Sequence, residues 1–116
     1  MKRPNDNELF GVLKAFELLR LLDEQIPGQL VSTFLYIASH NPCSKKDVEK
    51  DLQLTSSSAS RLLDWLSDYH RLGKPGLGLI VKTKNAMDLR LINIKLTPKG
   101  ENLVNQFRKL IFGNQV

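Results

Sequence analysis

Hydrophobic side chains recur at intervals of three and four residues near both ends of the chain. Over residues 6–23 this spacing predicts a helix with one wide apolar face, for which Asp6 is a suitable capping residue. Residues 98–112 show the same spacing, with Pro98 expected at the first helical position. Either the domain's own core or a second subunit must cover the first apolar face. Its members are Leu9, Phe10, Val12, Leu13, Phe16, Leu19 and Leu22.

Three shorter helices are predicted between these two. Pro27 is expected at the first position of a helix over residues 27–40. The next two helices cover residues 44–52 and 55–69, and a tight turn at residues 53–54 joins them. The residues suited to cap these two helices are Ser44 and Thr55.

The pattern changes after a glycine-containing segment over residues 73–78. Residues 79–84 and 89–96 are rich in aliphatic and β-branched side chains, and the second run alternates between polar and apolar positions. They predict two strands joined by a hairpin tip at residues 85–88. The predicted element order is therefore α-α-α-α-β-β-α, a mainly α fold with a small β-hairpin wing.

The middle of this order is a helix-turn-helix followed by a wing. In such a unit the first helix braces the second one in the major groove of DNA. The second helix begins with small hydroxyl side chains and one arginine, which suit phosphate oxygens and guanine, although a serine run is also a common polar helix start. These residues are Thr55, Ser56, Ser57, Ser58, Ser60 and Arg61.

Composition narrows the class of protein. A length of 116 residues, with 41% hydrophobic and 25% charged side chains, predicts one globular domain spanning residues 1–116. The single cysteine, Cys43, excludes a disulfide framework. No apolar run approaches the roughly 20 residues that cross a bilayer. We therefore expect a cytoplasmic protein without a membrane partner.

Basic residues are concentrated in one stretch of the chain. The net charge is +5, and residues 71–96 carry six basic side chains against the single acidic Asp88. A concentrated positive element favours a polyphosphate partner because phosphate contacts release counterions, although a charged hairpin can also serve solubility alone. Together with the helix-turn-helix, this stretch predicts double-stranded DNA as the partner.

After the hydroxyl-rich helix start, the chain carries in order the motifs Gly78-Leu79-Ile80, Lys82, Asp88-Leu89-Arg90 and Leu96-Thr97-Pro98-Lys99-Gly100. This ordered set resembles the MarR family of winged-helix transcriptional regulators, and the resemblance covers residues 27–104. The resemblance implies that Arg90 enters the minor groove of DNA and that Asp88 holds the wing, whereas an exposed ion pair is the alternative interpretation of these two residues.

Three departures from the family pattern bear on function. The connection over residues 68–77 is longer than usual, and it carries Arg71 and Lys74, which can reach the DNA backbone. Family members usually add a further dimerisation helix, so the expected dimerisation elements here are the helices over residues 6–23 and 98–112. The region of the family's effector pockets is reduced, and we expect no small-molecule effector.

The sequence predicts neither catalysis nor a bound cofactor or metal. His40 and His70 lie far apart and have no ligand partner at metal-binding spacing. Cys43 is interpreted as a semi-buried structural residue, and the alternative is a redox switch at a helix N-terminus. The glycines of residues 73–78 lack the ending of a phosphate-binding loop, and no nucleophile–base set is present.

The resulting hypothesis is a homodimeric DNA-binding repressor, acting at a bacterial nucleoid or in a phage-infected cell. One alternative is a winged-helix protein-interaction module, favoured by the net negative charge of residues 55–70 and by the long apolar first helix. The other is a sequence-tolerant DNA binder in replication or packaging. Besides the residues of the recognition helix, the predicted DNA contacts are Lys45, Lys46, Lys82, Lys84, Asp88 and Arg90.

Overall fold

The computed structural model describes residues 6–68, 75–88 and 90–113. Two compact units are present: a terminal unit of Met1–Ile26 with Asn102–Val116, and a central unit of Pro27–Glu101. The expected contacts from Arg71 and Lys74 lie outside the described residues, as does His70. The elements are α1 (Asn7–Leu22), α2 (Gly28–Ser39), β1 (Cys43–Ser44), α3 (Lys45–Leu52), α4 (Ser56–Leu66), β2 (Ile80–Lys84), β3 (Ile92–Leu96) and α5 (Pro98–Phe112).

In the terminal unit, α1 approaches the last turns of α5. Asp6 caps α1 as predicted, because its carboxylate accepts hydrogen bonds from the backbone N–H groups of Glu8 and Leu9 at 3.0 and 3.2 Å. A Cβ added at Gly11 would lie 2.0 Å from the carbonyl oxygen of Leu110. Only glycine therefore allows the two helix backbones to come this close.

The core of the central unit is built where α2 packs against α4 and β3. Phe34 and Ile37 of α2, Leu63 and Leu66 of α4, and Ile94 of β3 are completely buried. Burial of each such side chain contributes about 1.5–3 kcal/mol relative to exposure in water. These apolar contacts hold the helix-turn-helix onto the sheet.

Side-chain caps set the starts of α3 and α4, as predicted. Ser44 and Asp47 form a reciprocal capping box, in which each side chain accepts from the other residue's backbone N–H at 3.1 Å. The hydroxyl of Thr55 accepts from the N–H of Ser58 at 3.1 Å. Between the two helices Gln53 takes a left-handed backbone conformation with φ 54°, which closes the predicted turn.

Two helix ends differ from the prediction. Pro27 is the capping residue of α2, and the helix begins one position later. Helix α4 ends at Leu66, three residues early, because the returning chain bonds to its last carbonyl groups. The N–H groups of Leu77 and Leu79 donate to the carbonyls of Trp65 and Leu66, each at 2.8 Å.

A third strand, which the sequence pattern did not predict, joins the hairpin. Strand β1 pairs antiparallel with β3, with Cys43 opposite Ile94 and Ser44 opposite Asn93, so the strand order is β1-β3-β2. Two residues are too few to show a strand periodicity. The predicted fold class is confirmed, but the observed element order is α-α-β-α-α-β-β-α.

The hairpin strands are shorter than predicted. Strand β2 begins at Ile80 and β3 begins at Ile92. The N–H of Leu91 donates to the carbonyl of Asp88 at 3.0 Å, so this part of the predicted second strand belongs to the hairpin tip. The tip is therefore longer than four residues, and it carries the motif singled out in the sequence.

We expect Gly100→Ala to destabilise the protein by about 1–3 kcal/mol, because the added Cβ overpacks a tight backbone contact. That Cβ would lie 2.1 Å from the carbonyl oxygen of Leu79. Gly28→Ala is the matched control, since its Cβ meets nothing within 4 Å and its expected effect is between neutral and a gain of about 1 kcal/mol. Equilibrium urea unfolding measures both variants, and equal free energies of unfolding would contradict the close approach at Gly100.

Candidate nucleic-acid interface

The first turn of α4 presents most of the hydroxyl-rich set predicted to meet DNA. The apolar face of the helix is buried, so the polar residues gather on the other side. The exposed guanidinium of Arg61 donates to the hydroxyl of Ser58 at 3.1 Å. Ser58 and Ser60 are half-buried. The exposed hydroxyl residues are Thr55, Ser56 and Ser57.

The two lysines predicted to contact phosphate from α3 have different surroundings. The ammonium group of Lys45 donates to the carboxylate of Glu49 at 2.6 Å and to the hydroxyl of Ser56 at 2.9 Å. Its side chain is 14% exposed, so Lys45 braces α3 against the start of α4. Lys46 is exposed, and its charge helps to lower the pKa of Asp88, which places it close to the wing. Of the pair, Lys46 is the one free to meet a phosphate.

The lysines of β2 divide in the same way. Lys82 forms an ion pair with Asp64 of α4, and both side chains are about 30% exposed. This pair joins the wing to the helix that carries the hydroxyl residues. Lys84, two positions further along the strand, is exposed. Lys82 was predicted as a direct DNA contact, whereas its geometry suits a residue that positions the wing.

Asp88 and Arg90 form a bidentate ion pair at the wing, which is the alternative interpretation that the sequence offered for these two residues. The guanidinium donates to the two carboxylate oxygens from Nε and Nη2, each at 3.1 Å, and the backbone N–H of Arg90 donates to the same carboxylate at 3.0 Å. These bonds lower the pKa of Asp88 and raise that of Arg90. The arginine side chain remains 88% exposed. The carboxylate therefore orients a cation that still faces solvent.

Asn85 has a role at the wing that the sequence interpretation missed. Its side-chain carbonyl accepts from the backbone N–H groups of Met87 and Asp88 at 2.8 and 3.3 Å. The backbone N–H of Asn85 donates to the carbonyl of Leu91 at 2.9 Å, and this bond closes the tip. An asparagine at the start of a turn is the signal that could have found it.

The chemistry around Cys43 is that of a structural residue. The thiol is buried, and burial together with the nearby charge of Asp47 raises its pKa to about 11.

His40 lies at the end of α2, as predicted, where its ring stacks on Tyr36 with the centroids 4.1 Å apart. The hydroxyl of Tyr36 donates to Asp51 at 2.6 Å, and this bond raises the tyrosine pKa.

Residues 6–68, 75–88 and 90–113 contain neither a candidate metal site nor a candidate membrane span. Within these ranges no group of three histidine, cysteine, aspartate or glutamate side chains is placed to hold a metal ion. No helix of the same ranges combines the length and the apolar character that a membrane span requires.

The central unit is a winged helix-turn-helix, with α3 and α4 as the helix pair and β2–β3 as the wing. MepR from S. aureus in complex with DNA has the same fold, with a TM-score of 0.70 and 28% identity over 90% of this chain and 77% of that chain. A MepR mutant from S. aureus bound to an oligodeoxyribonucleotide superposes with a TM-score of 0.67 and 30% identity, over 90% of this chain and 70% of that chain. A MarR mutant from E. coli complexed with operator DNA superposes with a TM-score of 0.61 and 20% identity, over 95% of this chain and 81% of that chain.

The chain belongs to the MarR family of winged-helix regulators, as its motifs indicated. This assignment rests on the extent of the match to the two MepR structures. At 28% and 30% identity, the superposition includes 90% of this chain and at least 70% of each MepR chain. No protein-family model and no curated protein sequence matches the chain.

We expect Lys82→Ala and Asp64→Ala each to lower the free energy of unfolding, with a coupling between them of about 0.2–1 kcal/mol, as is typical of a partly exposed ion pair. The pair joins β2 to α4. A double-mutant cycle in urea measures the coupling. Lys84→Ala is the control on the same strand, because Lys84 is exposed, and it should leave stability unchanged. Zero coupling would show that the pair does not hold the wing.

The capping box predicts a stability change with pH. Hydrogen bonds from Ser44 lower the pKa of Asp47 below its ordinary value of 3.8. A depressed folded-state pKa contributes stability that is complete above the ordinary value and is lost as the pH falls through the folded value. We therefore expect Asp47→Asn to lower the urea midpoint at neutral pH and to match the wild type in strong acid.

Asp68→Asn is the control for this measurement, because it replaces an exposed carboxylate near the end of α4. Its urea midpoint should follow that of the wild type at each pH. A constant difference between Asp47→Asn and the wild type across the acidic range would contradict a role for the ionised capping carboxylate.

Proposed function

We propose that this protein is a sequence-specific regulator of transcription that binds double-stranded DNA, most simply as a repressor that blocks a promoter. One observation carries the proposal: an arginine wing and a hydroxyl-rich helix start lie in a single compact unit of a MarR-family chain. The MepR structures in complex with DNA, at 28% and 30% identity, support it. No catalysis and no cofactor are part of this function.

In the proposed complex the start of α4 enters the major groove. Arg61 contacts a base edge and the neighbouring hydroxyl groups contact bases or phosphates, because small side chains permit close approach and arginine can bind guanine through two hydrogen bonds. Lys46 and Lys84 contact phosphates. Arg90, held by Asp88, enters the minor groove, where the negative potential attracts arginine.

We propose further that the regulator acts as a homodimer through its terminal unit. Several large apolar side chains of α1 and α5 are exposed in the single chain, which leaves an apolar surface for a second copy to cover. A two-fold dimer would prefer an inverted repeat whose half-sites lie about one helical turn apart. The exposed residues are Leu9 (67%), Phe10 (45%), Leu13 (51%), Phe16 (46%), Leu21 (82%), Leu22 (37%) and Phe112 (58%).

The site of action in this proposal is the cytoplasm, where the protein would meet the DNA that it regulates. A small-molecule effector is not part of the proposal. The same apolar surface of α1 also suits a protein-interaction module, which is the second candidate function. Binding to DNA separates the two candidates.

The test is to select, from a pool of random duplex DNA, the sequences that bind the purified protein at two salt concentrations. An enriched inverted repeat would support a dimeric regulator and identify its operator. Tight binding without enrichment would indicate a sequence-tolerant binder, and no binding at low salt would leave the protein-interaction module as the function.

We expect Arg61→Ala to lose about 1–3 kcal/mol of discrimination at one base position of the selected site, because the exposed guanidinium lies beside the first turn of α4. Competition binding between the selected duplex and single-base variants measures this loss. Arg108→Ala is the control, since it removes the same charge from an exposed position on α5. Unchanged discrimination in Arg61→Ala would show that another residue reads the base.

A further inference from the structure

The tip of the wing exposes a large apolar side chain. Met87 is 95% exposed, more than any other large hydrophobic residue over the ranges described. Single exposed apolar residues are common on protein surfaces. This one differs in its setting, because it lies at the end of a hairpin whose exposed neighbours include Lys84 and Arg90.

The backbone on either side of Met87 is held in place. The side-chain carbonyl of Asn85 accepts from the N–H groups of Met87 and Asp88. The N–H of Leu91 then donates to the carbonyl of Asp88, and the N–H of Asn85 donates to the carbonyl of Leu91. The tip is therefore a closed turn that holds the backbone of Met87 at the end of the wing while leaving its side chain free.

The surrounding charge selects the kind of partner. Lys84 and Arg90 are exposed on the hairpin itself. The positive charge of Lys46 also acts on the tip, where it helps to lower the pKa of Asp88. A cationic tip repels a basic surface and attracts a polyanion. In duplex DNA the apolar surface next to the phosphates is the stack of base pairs, so the partner that satisfies both the cations and the thioether is the stacked duplex.

We propose that Met87 is a wedge that inserts between adjacent base pairs in the minor groove beside Arg90, partly unstacking them and bending the duplex. The inference rests on the proposed function and adds deformation of the DNA to it. Burial of the wedge and the wider contact with bent DNA offset the free-energy cost of unstacking the two base pairs. An unbranched thioether suits this role because it adapts to a narrow, irregular slot.

Fluorescence of 2-aminopurine, placed in turn at each position of the selected duplex, tests the wedge. The wild type should raise the fluorescence at the base step under the wing, because unstacking relieves quenching. Met87→Leu keeps an apolar side chain of similar size and should retain the rise. Met87→Ser should abolish it and weaken binding about fivefold to tenfold, the loss expected for part of one buried apolar side chain.

Two further variants separate the wedge from the rest of the interface. Ala86→Ser alters an exposed neighbour at the tip and should match the wild type. Arg90→Ala removes a charge and should reduce the slope of log K against log salt by about one, whereas Met87→Ser should leave that slope unchanged. Wild-type fluorescence and affinity in Met87→Ser would overturn the wedge and leave the regulator function standing. Failure of the wild type to bind any duplex would overturn both.

Discussion

The pairing of β1 with β3 ties the helix-turn-helix to the wing. Ser44 lies opposite Asn93 in this ladder. The same residue caps α3, which begins at the next position, and it does so together with Asp47. Because one residue serves both the strand and the helix cap, α3 begins at a set distance from the wing. The ion pair between Lys82 and Asp64 makes a second connection, from β2 to α4. The two parts of the proposed interface are thus held by contacts at both ends of the helix pair.

Charge in the central unit divides into positioning and exposed groups. Lys45 and Lys82 pair with acidic side chains inside the unit and orient α3, α4 and the wing. Such partly exposed pairs contribute little net stability, so their main effect is on geometry. Counting basic residues along the sequence therefore overestimates the number available to phosphate. Of the basic residues predicted to meet DNA, the exposed ones are Lys46, Arg61, Lys84 and Arg90.

Features that depend on neighbours within three residues were predictable from the sequence. The caps at Asp6, Ser44 and Thr55 follow from side-chain hydrogen bonds to nearby backbone groups, and the structure contains all three. The Asp88–Arg90 pair is equally local, although its role in the wing came from a family resemblance. Local hydrogen bonds form in the same way wherever the helix or turn lies in the fold.

Over residues 6–68, 75–88 and 90–113, the helices, the hairpin, the helix caps and the hydroxyl-rich start of α4 all follow from the amino-acid pattern, because periodicity and capping are local properties. The strand at Cys43 and Ser44, the early end of α4, and the pairing of Lys82 with Asp64 arise instead from contacts made in the folded chain. Each of these depends on a partner that is distant along the chain, and folding alone brings the partners together. Contacts of that kind leave no periodic signal, so the tertiary structure decides which lysines remain exposed.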